Sequence, residues 1–479
     1  MAIAAMAQPP IRLSVMKAEP ADSSDVAYYG KRHFWQAAAT VTAMDLGTWA
    51  FDRYIQKADF AKISWHSFTE NLKHGFIWDN DQLSTNMFLH PYHGNLYYNG
   101  ARANGFNYWQ SGLFAFYGSA LWELVLEQEY PSTNDIIATP IGGMAIGETL
   151  FRASDIVLKD NTRGWERFGR EAAAFLISPM RGLTRIINGD AWRYRPTTGR
   201  LFGIPNVAVE VSLGTRWLKM QNKYKDDSWG VTSEFNLEYG DRFELRSTTP
   251  YDYFTFHLDL NMQHTQPILA QLNIMGRLIS RELLDTKDHD ISIGMYQHYD
   301  FYDSDTISEN THHVPYKLGI PASVGAGLMY RGTHLGPWTI DAFSHVNAVI
   351  LGGILSDHYR LKDRNYNLAS GFSLKSGVNF VYRNDIFSIS AEYDYFRMFT
   401  WGYPRNTDMS NVDVRTLNAE GDESVAMFAI AKLRLDYRLF SQVYLSGSFT
   451  HYLRSTRYRD FPKVKSSCFS TRLMLTYKF

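Results

Sequence analysis

The chain of 479 residues has a single cysteine, Cys468, which excludes internal disulfides and zinc sites built from several cysteines. It also lacks an excess of either charge, because 48 Lys and Arg stand against 49 Asp and Glu, so no basic field gathers nucleic acid. Long apolar runs are missing as well, and the mean hydropathy is -0.30. A bundle of membrane-spanning helices and a nucleic-acid partner are therefore excluded.

Aromatic residues are abundant instead, with 30 Tyr, 30 Phe and 12 Trp. Membrane β-barrels combine aromatic girdles with moderate hydropathy, because only one face of each strand meets lipid. A chain of this length also exceeds one ordinary core, so two structural parts are expected.

The carboxy-terminal part alternates apolar and polar residues with a period of two, as in residues 207–213, 254–262 and 387–395. About twelve such segments lie between residues 205 and 479, and most are longer than a globular strand. Short joins alternate with longer polar ones, 303–313 and 405–422 among them. The pattern predicts an up-and-down antiparallel membrane β-barrel of about twelve strands, although ten or fourteen would also fit.

The final segment ends on an aromatic carboxyl terminus. Leu473, Leu475, Tyr477 and Phe479 would face lipid, whereas the residues between them would face a polar interior. We interpret these four residues as the signal that the barrel-assembly machinery reads during folding, which places the protein in the outer membrane of a Gram-negative bacterium.

Before residue 205 the period is helical, and helices are predicted over residues 34–54, 108–127, 135–159 and 164–177. We divide the chain into a signal-peptide remnant (1–7), a flexible segment (8–30), a helical domain (31–200) and the barrel (201–479). The remnant is inferred from the small-x-small pattern at Ala5 and Ala7. The helical domain is expected either in the periplasm or as a plug of the barrel lumen.

A dense polar and aromatic cluster spans residues 78–99. His90 and His93, with Asp79 or Asp81, could bind a divalent metal, because imidazole and carboxylate suit zinc, iron or nickel. No other cofactor is expected. Pro91 between the histidines favours a loop, which is the structural alternative to a metal site. A third possibility makes one histidine the general base of a lipid hydrolase.

Three carboxylates on otherwise apolar helices, Glu123, Asp135 and Glu148, are further catalytic candidates, because burial of an ionisable group is costly. Each also has a structural explanation: Asp135 ends a capping-box spacing, Glu148 precedes Arg152 by four residues, and Glu123 could meet a helix terminus. Arg163, Arg167 and Arg170 could bind anionic lipid head groups, although pairing with Glu166 and Glu171 would neutralise them.

These motifs, from residues 78–81 and 90–94 through 130–135, 142–143 and 147–148 to 163–171, resemble an uncharacterised family of Gram-negative envelope proteins. Its members join a helical domain of unknown function to an outer-membrane barrel, and the family supplies no catalytic residues. The spacing of Glu123, Pro131, Asp135, Gly143 and Gly147 also resembles the helical hairpin of the VanZ-like family.

The leading functional prediction is a non-enzymatic protein whose helical domain binds or organises envelope lipid, lipopolysaccharide or partner proteins. A lipid-modifying hydrolase that uses His90 or His93 is the first alternative. A narrow transport channel is the second, because inward charges such as Arg434 and Asp259 would leave a twelve-stranded barrel little open bore.

Overall fold

The computed structural model describes residues 19–221, 226–243, 249–307, 313–404, 413 and 417–479. Twelve antiparallel strands in these ranges form a closed barrel, in which sequence neighbours pair and β1 pairs with β12. The predicted fold class is confirmed. The strands are β1 (Val207–Met220), β2 (Asp227–Tyr239), β3 (Phe254–Met262), β4 (Leu269–Asp285), β5 (His289–Asp303), β6 (Lys317–Leu335), β7 (Trp338–Leu355), β8 (Tyr366–Tyr382), β9 (Phe387–Thr400), β10 (Ser424–Phe440), β11 (Val443–Tyr458) and β12 (Val464–Lys478).

The two ends of the barrel differ in their connections. At the turn end, where β1 begins and β12 ends, four of the five connections have two to four residues: 286–288, 336–337, 383–386 and 441–442. At the opposite loop end the connections are longer and include 304–316, 356–365 and 401–423. This asymmetry matches the predicted alternation of short turns and long loops.

The lumen is filled largely by side chains. Arg434 contacts Glu234 at 2.9 Å, and Arg472 contacts Asp259 at 2.7 Å and also reaches Glu234. A buried layer that is mainly apolar and aromatic, with Tyr316 among its members, lies nearer the loop end. A cavity of about 390 Å³ remains, and none of the described residues that line it belongs to the helical region.

The outer face of β12 is apolar and exposed, as predicted. Leu473, Leu475, Tyr477 and Phe479 are exposed, whereas Arg472 and Met474, at alternate positions of the same strand, are buried in the lumen. The same exposed apolar belt continues on β10 and β11 through Leu433, Leu435 and Leu445. No described helix covers these side chains.

Eight α-helices precede the barrel in the described residues: α1 (Ser23–Tyr29), α2 (Phe34–Phe51), α3 (Trp65–His74), α4 (His90–Arg102), α5 (Tyr108–Leu121), α6 (Asp135–Val157), α7 (Gly164–Ile177) and α8 (Pro179–Ile187). Short π-helical turns, Asp52–Gln56 and Trp122–Leu126, extend α2 and α5, and another, Thr85–Leu89, precedes α4. The four predicted helices are confirmed. No described helix combines the length and the apolar character needed to cross a membrane by itself.

One local prediction is wrong. The segment around His90 and His93 forms the start of α4 and not a loop. Pro91 lies where the preceding π-helical turn, in which the His90 N–H donates to the Thr85 carbonyl, passes into α4, so it interrupts no regular α-helical hydrogen-bond ladder. The two histidines therefore occupy successive turns of one helix. The predicted signal remnant, residues 1–7, and residues 8–18 of the predicted flexible segment lie outside the described residues, and Ser23–Tyr29 of that segment form α1.

Candidate functional site

The helices contact the outer wall of the barrel. The Tyr108 hydroxyl donates a hydrogen bond to Gln297 Oε1 at 2.5 Å, and Gln297 Nε2 donates to the Ile141 carbonyl at 2.9 Å. The Tyr299 hydroxyl donates to the carbonyl of Met87 at 2.5 Å. Residues of α5, α6 and the turn before α4 thus share one surface of β5.

That surface faces away from the lumen. Gln297 and Tyr299 alternate along β5 with His298 and Asp300, and successive strand residues point to opposite faces. His298 lines the lumenal cavity, and Asp300 contacts Lys375, which lines the same cavity. The odd-numbered residues that bind the helices are therefore outward.

Small residues let the helices approach this wall closely. A Cβ atom at Gly319 in β6 would lie 2.3 Å from Met87 Cβ, and one at Gly353 in β7 would lie 2.8 Å from Leu83 Cδ1. At the turn end, Arg152 of α6 donates to the Pro250 carbonyl at 2.9 Å. The helical region crosses the wall from β8 near the loop end to the 240–253 connection.

Of the two expected positions of the helical domain, periplasm or lumen plug, the plug is therefore corrected. The described helices lie against outward residues of the wall, and the lumen is filled by strand side chains. The alternating pattern of a strand identifies its two faces but carries no information about which face another domain covers.

Three potential ligands of the polar cluster converge where α4 and α6 begin. Asp79, His90 and Asp135 each offer a ligand atom within 4.8 Å of the others. His90 Nε2 lies 3.8 Å from Asp135 Oδ2, and about a fifth of the His90 side chain, 21%, is exposed. The backbone N–H of Asp135 donates to Ser132 Oγ at 3.2 Å, as the capping spacing predicts. A carboxylate–imidazole set of this kind could hold a divalent ion.

More carboxyl groups surround this triad. Glu123, in the π-helical turn after α5, accepts a hydrogen bond from the Ser132 backbone N–H at 2.7 Å. Burial raises the pKa of Glu123, and the nearby Glu127 raises it further. Burial and the charge of Asp79 raise the pKa of Asp135 in the same way. The cluster therefore favours bound protons or a bound cation.

His93 and Asp81 are not among the three converging ligands, so the predicted metal set is only partly assembled. The His93 ring packs against Tyr97 and Trp122, with ring centroids 4.7 and 5.5 Å away. Burial lowers its pKa to about 3. Burial, followed by the charge of Asp79, raises the pKa of Asp81 to about 7. Asp135, which was predicted from the sequence as a catalytic residue and not as a metal ligand, is the third ligand instead of His93 or Asp81.

Glu148 lies in a separate buried ion cluster. Arg102 and Arg152 each place a guanidinium Nε 2.8 Å from its carboxylate, and the Tyr98 hydroxyl donates to it at 2.7 Å. Every one of these partners is internal to the helical region, so the structure favours a packing role for Glu148.

The three arginines of α7 and its N-terminus have partners within the protein. Arg167 is buried and lies 2.9 Å from Asp160, and Arg170 lies 3.0 Å from Glu166. Arg163 is exposed and stacks over Tyr194 at 4.3 Å. Head-group binding by these residues stays a prediction.

One signal in the sequence could have identified the wall contact. Gln297 places an amide at an outward position of a strand, which is costly against lipid unless another element covers it. In addition, π-helical turns often mark functional sites, and two of them flank the Asp79–His90–Asp135 cluster. Such turns follow from tertiary packing and are not visible in sequence periodicity.

A family model described as a domain of unknown function, DUF3943, matches residues 75–180, which contain the whole cluster. This agrees with the predicted membership of an uncharacterised family in the helical region. No curated protein matches the chain.

Among solved structures, the chain is similar to the outer membrane protein OmpT of Vibrio cholerae (8% identity, 57% of this chain and 99% of that chain, TM-score 0.24). It is also similar to the outer membrane channel DcaP of Acinetobacter baumannii (8%, 57% and 97%, TM-score 0.23) and the toluene transporter TodX of Pseudomonas putida (8%, 57% and 89%, TM-score 0.22). At these scores the barrel assignment rests on the strand pairing of the chain itself.

Proposed function

We propose that this is an outer-membrane protein of a Gram-negative bacterium whose barrel holds the helical domain in the membrane, where that domain binds envelope lipid or lipopolysaccharide without catalysis. The observation that carries the proposal is the apolar exposed face of helices that lie on the outward wall of a barrel. The wall of a membrane barrel is its lipid-contacting surface.

The exposed face of α5 illustrates the argument. Trp109, Leu113, Phe116 and Tyr117 are exposed, with Leu113 at 69%, and α5 contains no charged residue. Leaving a large apolar side chain in water instead of burying it costs about 1.5–3 kcal/mol. A continuous patch of this kind therefore calls for an apolar medium, which lipid supplies.

The helical domain also buries an ionisable group beside its apolar core. The one charged residue of α2, Asp45, is fully buried and accepts a hydrogen bond from Tyr97. Burial raises the pKa of Asp45 to about 7, so the carboxyl group readily carries a proton at neutral pH. Polar groups in a lipid environment must find partners inside the protein, and Asp45 Oδ1 has one in the Tyr97 hydroxyl.

A lipid hydrolase is the first alternative, and we place it second. Such an enzyme needs a nucleophilic hydroxyl on the imidazole of its general base. His90 instead faces the Asp135 carboxylate, and His93 is packed between aromatic rings. The arrangement at His90 suits cation or proton binding better than activation of a hydroxyl group.

A narrow channel is the second alternative. The Arg434–Glu234 and Arg472–Asp259 pairs cross the lumen, and the aromatic layer closes it toward the loop end. Moving these side chains would expose buried charges without their partners, which is costly. A lumen of this kind favours an anchoring role for the barrel.

The same purified protein can be tested for channel conductance and for lipid binding. Purified full-length protein should give no single-channel conductance in planar bilayers, and lipid extraction should recover phospholipid or lipopolysaccharide bound to it. A triple variant with Trp109→Gln, Leu113→Gln and Phe116→Gln should retain less lipid than the parent protein while its barrel stays folded. Regular conductance steps, together with equal lipid retention in the variant, would contradict the proposal.

A further inference from the structure

A second cavity, of about 370 Å³, lies in the helical region between α1, α2 and α8. The cavity is close to the turn end of the barrel. Leu201 lines the cavity, Ile204 pairs with Glu19, and β1 begins three residues later at Val207. The cavity belongs neither to the Asp79–His90–Asp135 cluster nor to the lumen.

Cationic side chains dominate the lining of this cavity. Lys31, Arg181, Arg185 and Arg193 line it together with a single carboxylate, that of Asp190. Arg193 contacts Asp190 at 3.4 Å, and Lys31 is exposed on the rim. The carboxylates that pair with Arg181 and Arg185 lie outside the cavity lining.

Two of these arginines are held rigidly. Arg181 and Arg185 are each 4% exposed. Arg181 contacts Asp155, and Arg185 lies 2.6 Å from Asp160 and 2.8 Å from Glu171.

These contacts use the Nε and Nη2 atoms of the Arg185 guanidinium group. Its Nη1 is buried and has no hydrogen-bond partner among the described residues. A buried guanidinium N–H without a partner is costly, and an anionic oxygen in the cavity would satisfy it.

The surroundings of the cavity are those of a membrane interface. On α8 the apolar residues Leu183, Ile186 and Ile187 are exposed, whereas Arg181 and Arg185 point inward. In addition, Trp35 and Trp192 flank the cavity lining and are exposed at 81% and 69%. Exposed Trp beside Lys and Arg is typical of the head-group level of a bilayer.

We propose that this cavity binds the phosphate group of an anionic phospholipid, with Arg185 and Arg193 as donors and Lys31 at the entrance. The acyl chains lie on the exposed apolar face of α8 beside Trp192. The proposal rests on the proposed lipid contact of the helical domain and assigns it a ligand and a site. The α7 arginines predicted for this role lie outside the cavity lining.

Calorimetric titration of the detergent-solubilised full chain tests this site with three probes: dihexanoylphosphatidylglycerol, dihexanoylphosphatidylcholine and inorganic phosphate. We expect the phosphatidylglycerol to bind most tightly. The double variant Lys31→Gln with Arg193→Gln should weaken this binding about tenfold, because two charge-assisted contacts are lost while the Arg181 and Arg185 ion pairs remain. A matched double variant, Lys62→Gln with Lys73→Gln, removes two exposed charges outside the cavity and should bind like the parent.

Equal binding by the cavity variant and the parent would overturn the site, as would equal weakening in the matched variant. Inorganic phosphate that binds as tightly as phosphatidylglycerol would overturn the lipid source. Should the double variant fail to fold, Arg193→Gln alone keeps the test, since this side chain is half exposed. Failure here would leave lipid retention by the α5 face unchanged, so it is distinguishable from failure of the proposed function.

Discussion

Replacing Gly143 by leucine should separate α6 from α4 and unfold the helical domain while the barrel remains closed. A Cβ atom at Gly143 would lie 2.4 Å from the backbone carbonyl carbon of Gly94, and one at Gly94 would lie 1.8 Å from the Thr139 carbonyl oxygen. Backbone atoms cannot rotate away as side chains can, so the strain exceeds the usual overpacking cost of about 1–3 kcal/mol. We expect trypsin to digest the helical region of Gly143→Leu rapidly.

Gly47→Leu is the matched control, because no atom lies within 4 Å of a Cβ built at Gly47 in α2. Its helical region should resist trypsin as the parent does. In both variants the heat-dependent mobility shift of a folded barrel should persist in electrophoresis. Equal protease resistance of Gly143→Leu and Gly47→Leu would show that α4 and α6 do not meet at these glycines.

The second large effect concerns the charge of Glu148. Glu148→Gln leaves Arg102 and Arg152 buried without a counter-charge, which costs about 3–5 kcal/mol. Burial alone would raise the pKa of Glu148, but the two guanidinium groups lower it to about 2. The stabilisation is therefore fully present above the ordinary glutamate pKa and is lost as the pH falls toward 2. Thermal unfolding at pH 7 and pH 3 should show a larger deficit at pH 7.

Glu123→Gln provides the contrast of opposite sign. The pKa of Glu123 is raised by burial and by Glu127, so the protonated form is favoured in the folded state. The parent protein then loses stability as the pH rises through that pKa, whereas a glutamine stays neutral and can still accept from Ser132. We expect Glu123→Gln to match the parent at pH 4 and to exceed its stability at pH 8. If the stability of Glu148→Gln and Glu123→Gln relative to the parent changed with pH in the same direction, the opposite pKa shifts of the two glutamates would be refuted.

The barrel could be predicted almost completely from the sequence. Each of the twelve predicted segments corresponds to one strand, because a period of two over ten or more residues has few other structural solutions. The terminal strand is the clearest case, with Leu473 and Leu475 outward and Arg472 inward. Its alternation identifies both faces without any tertiary information.

The candidate site was predicted only in part. The polar cluster around His90 was located, but its third member, Asp135, comes from another helix 45 residues later, and no local pattern relates the two positions. Likewise, His93 has the same residue type as His90 and lies three positions later, yet it packs between Tyr97 and Trp122. Both outcomes depend on how α4, α5 and α6 pack, which the helical period alone does not specify.

The placement of the helices was beyond the sequence pattern for a related reason. A charge-free helix such as α5 is compatible with a plug, a soluble core or a lipid-facing position. The outward Gln297 distinguishes these cases, because its amide binds Tyr108 and the Ile141 carbonyl on the outer wall. One buried polar residue thus carries more information about the assembly than the hydrophobic pattern of a whole helix.

Fluorescence quenching of a label at position 113 distinguishes a helical domain embedded in lipid from one exposed to water. Leu113→Cys places a thiol on the exposed face of α5 for an environment-sensitive fluorophore, and the native Cys468 is buried. In reconstituted vesicles, nitroxides on lipid acyl chains should quench this label as strongly as one at Leu475→Cys on the bare barrel wall. Aqueous iodide should quench only a label at Lys463→Cys, in the exposed connection before β12. Strong iodide quenching at Leu113→Cys without lipid quenching would contradict a helical domain embedded in the membrane against the barrel.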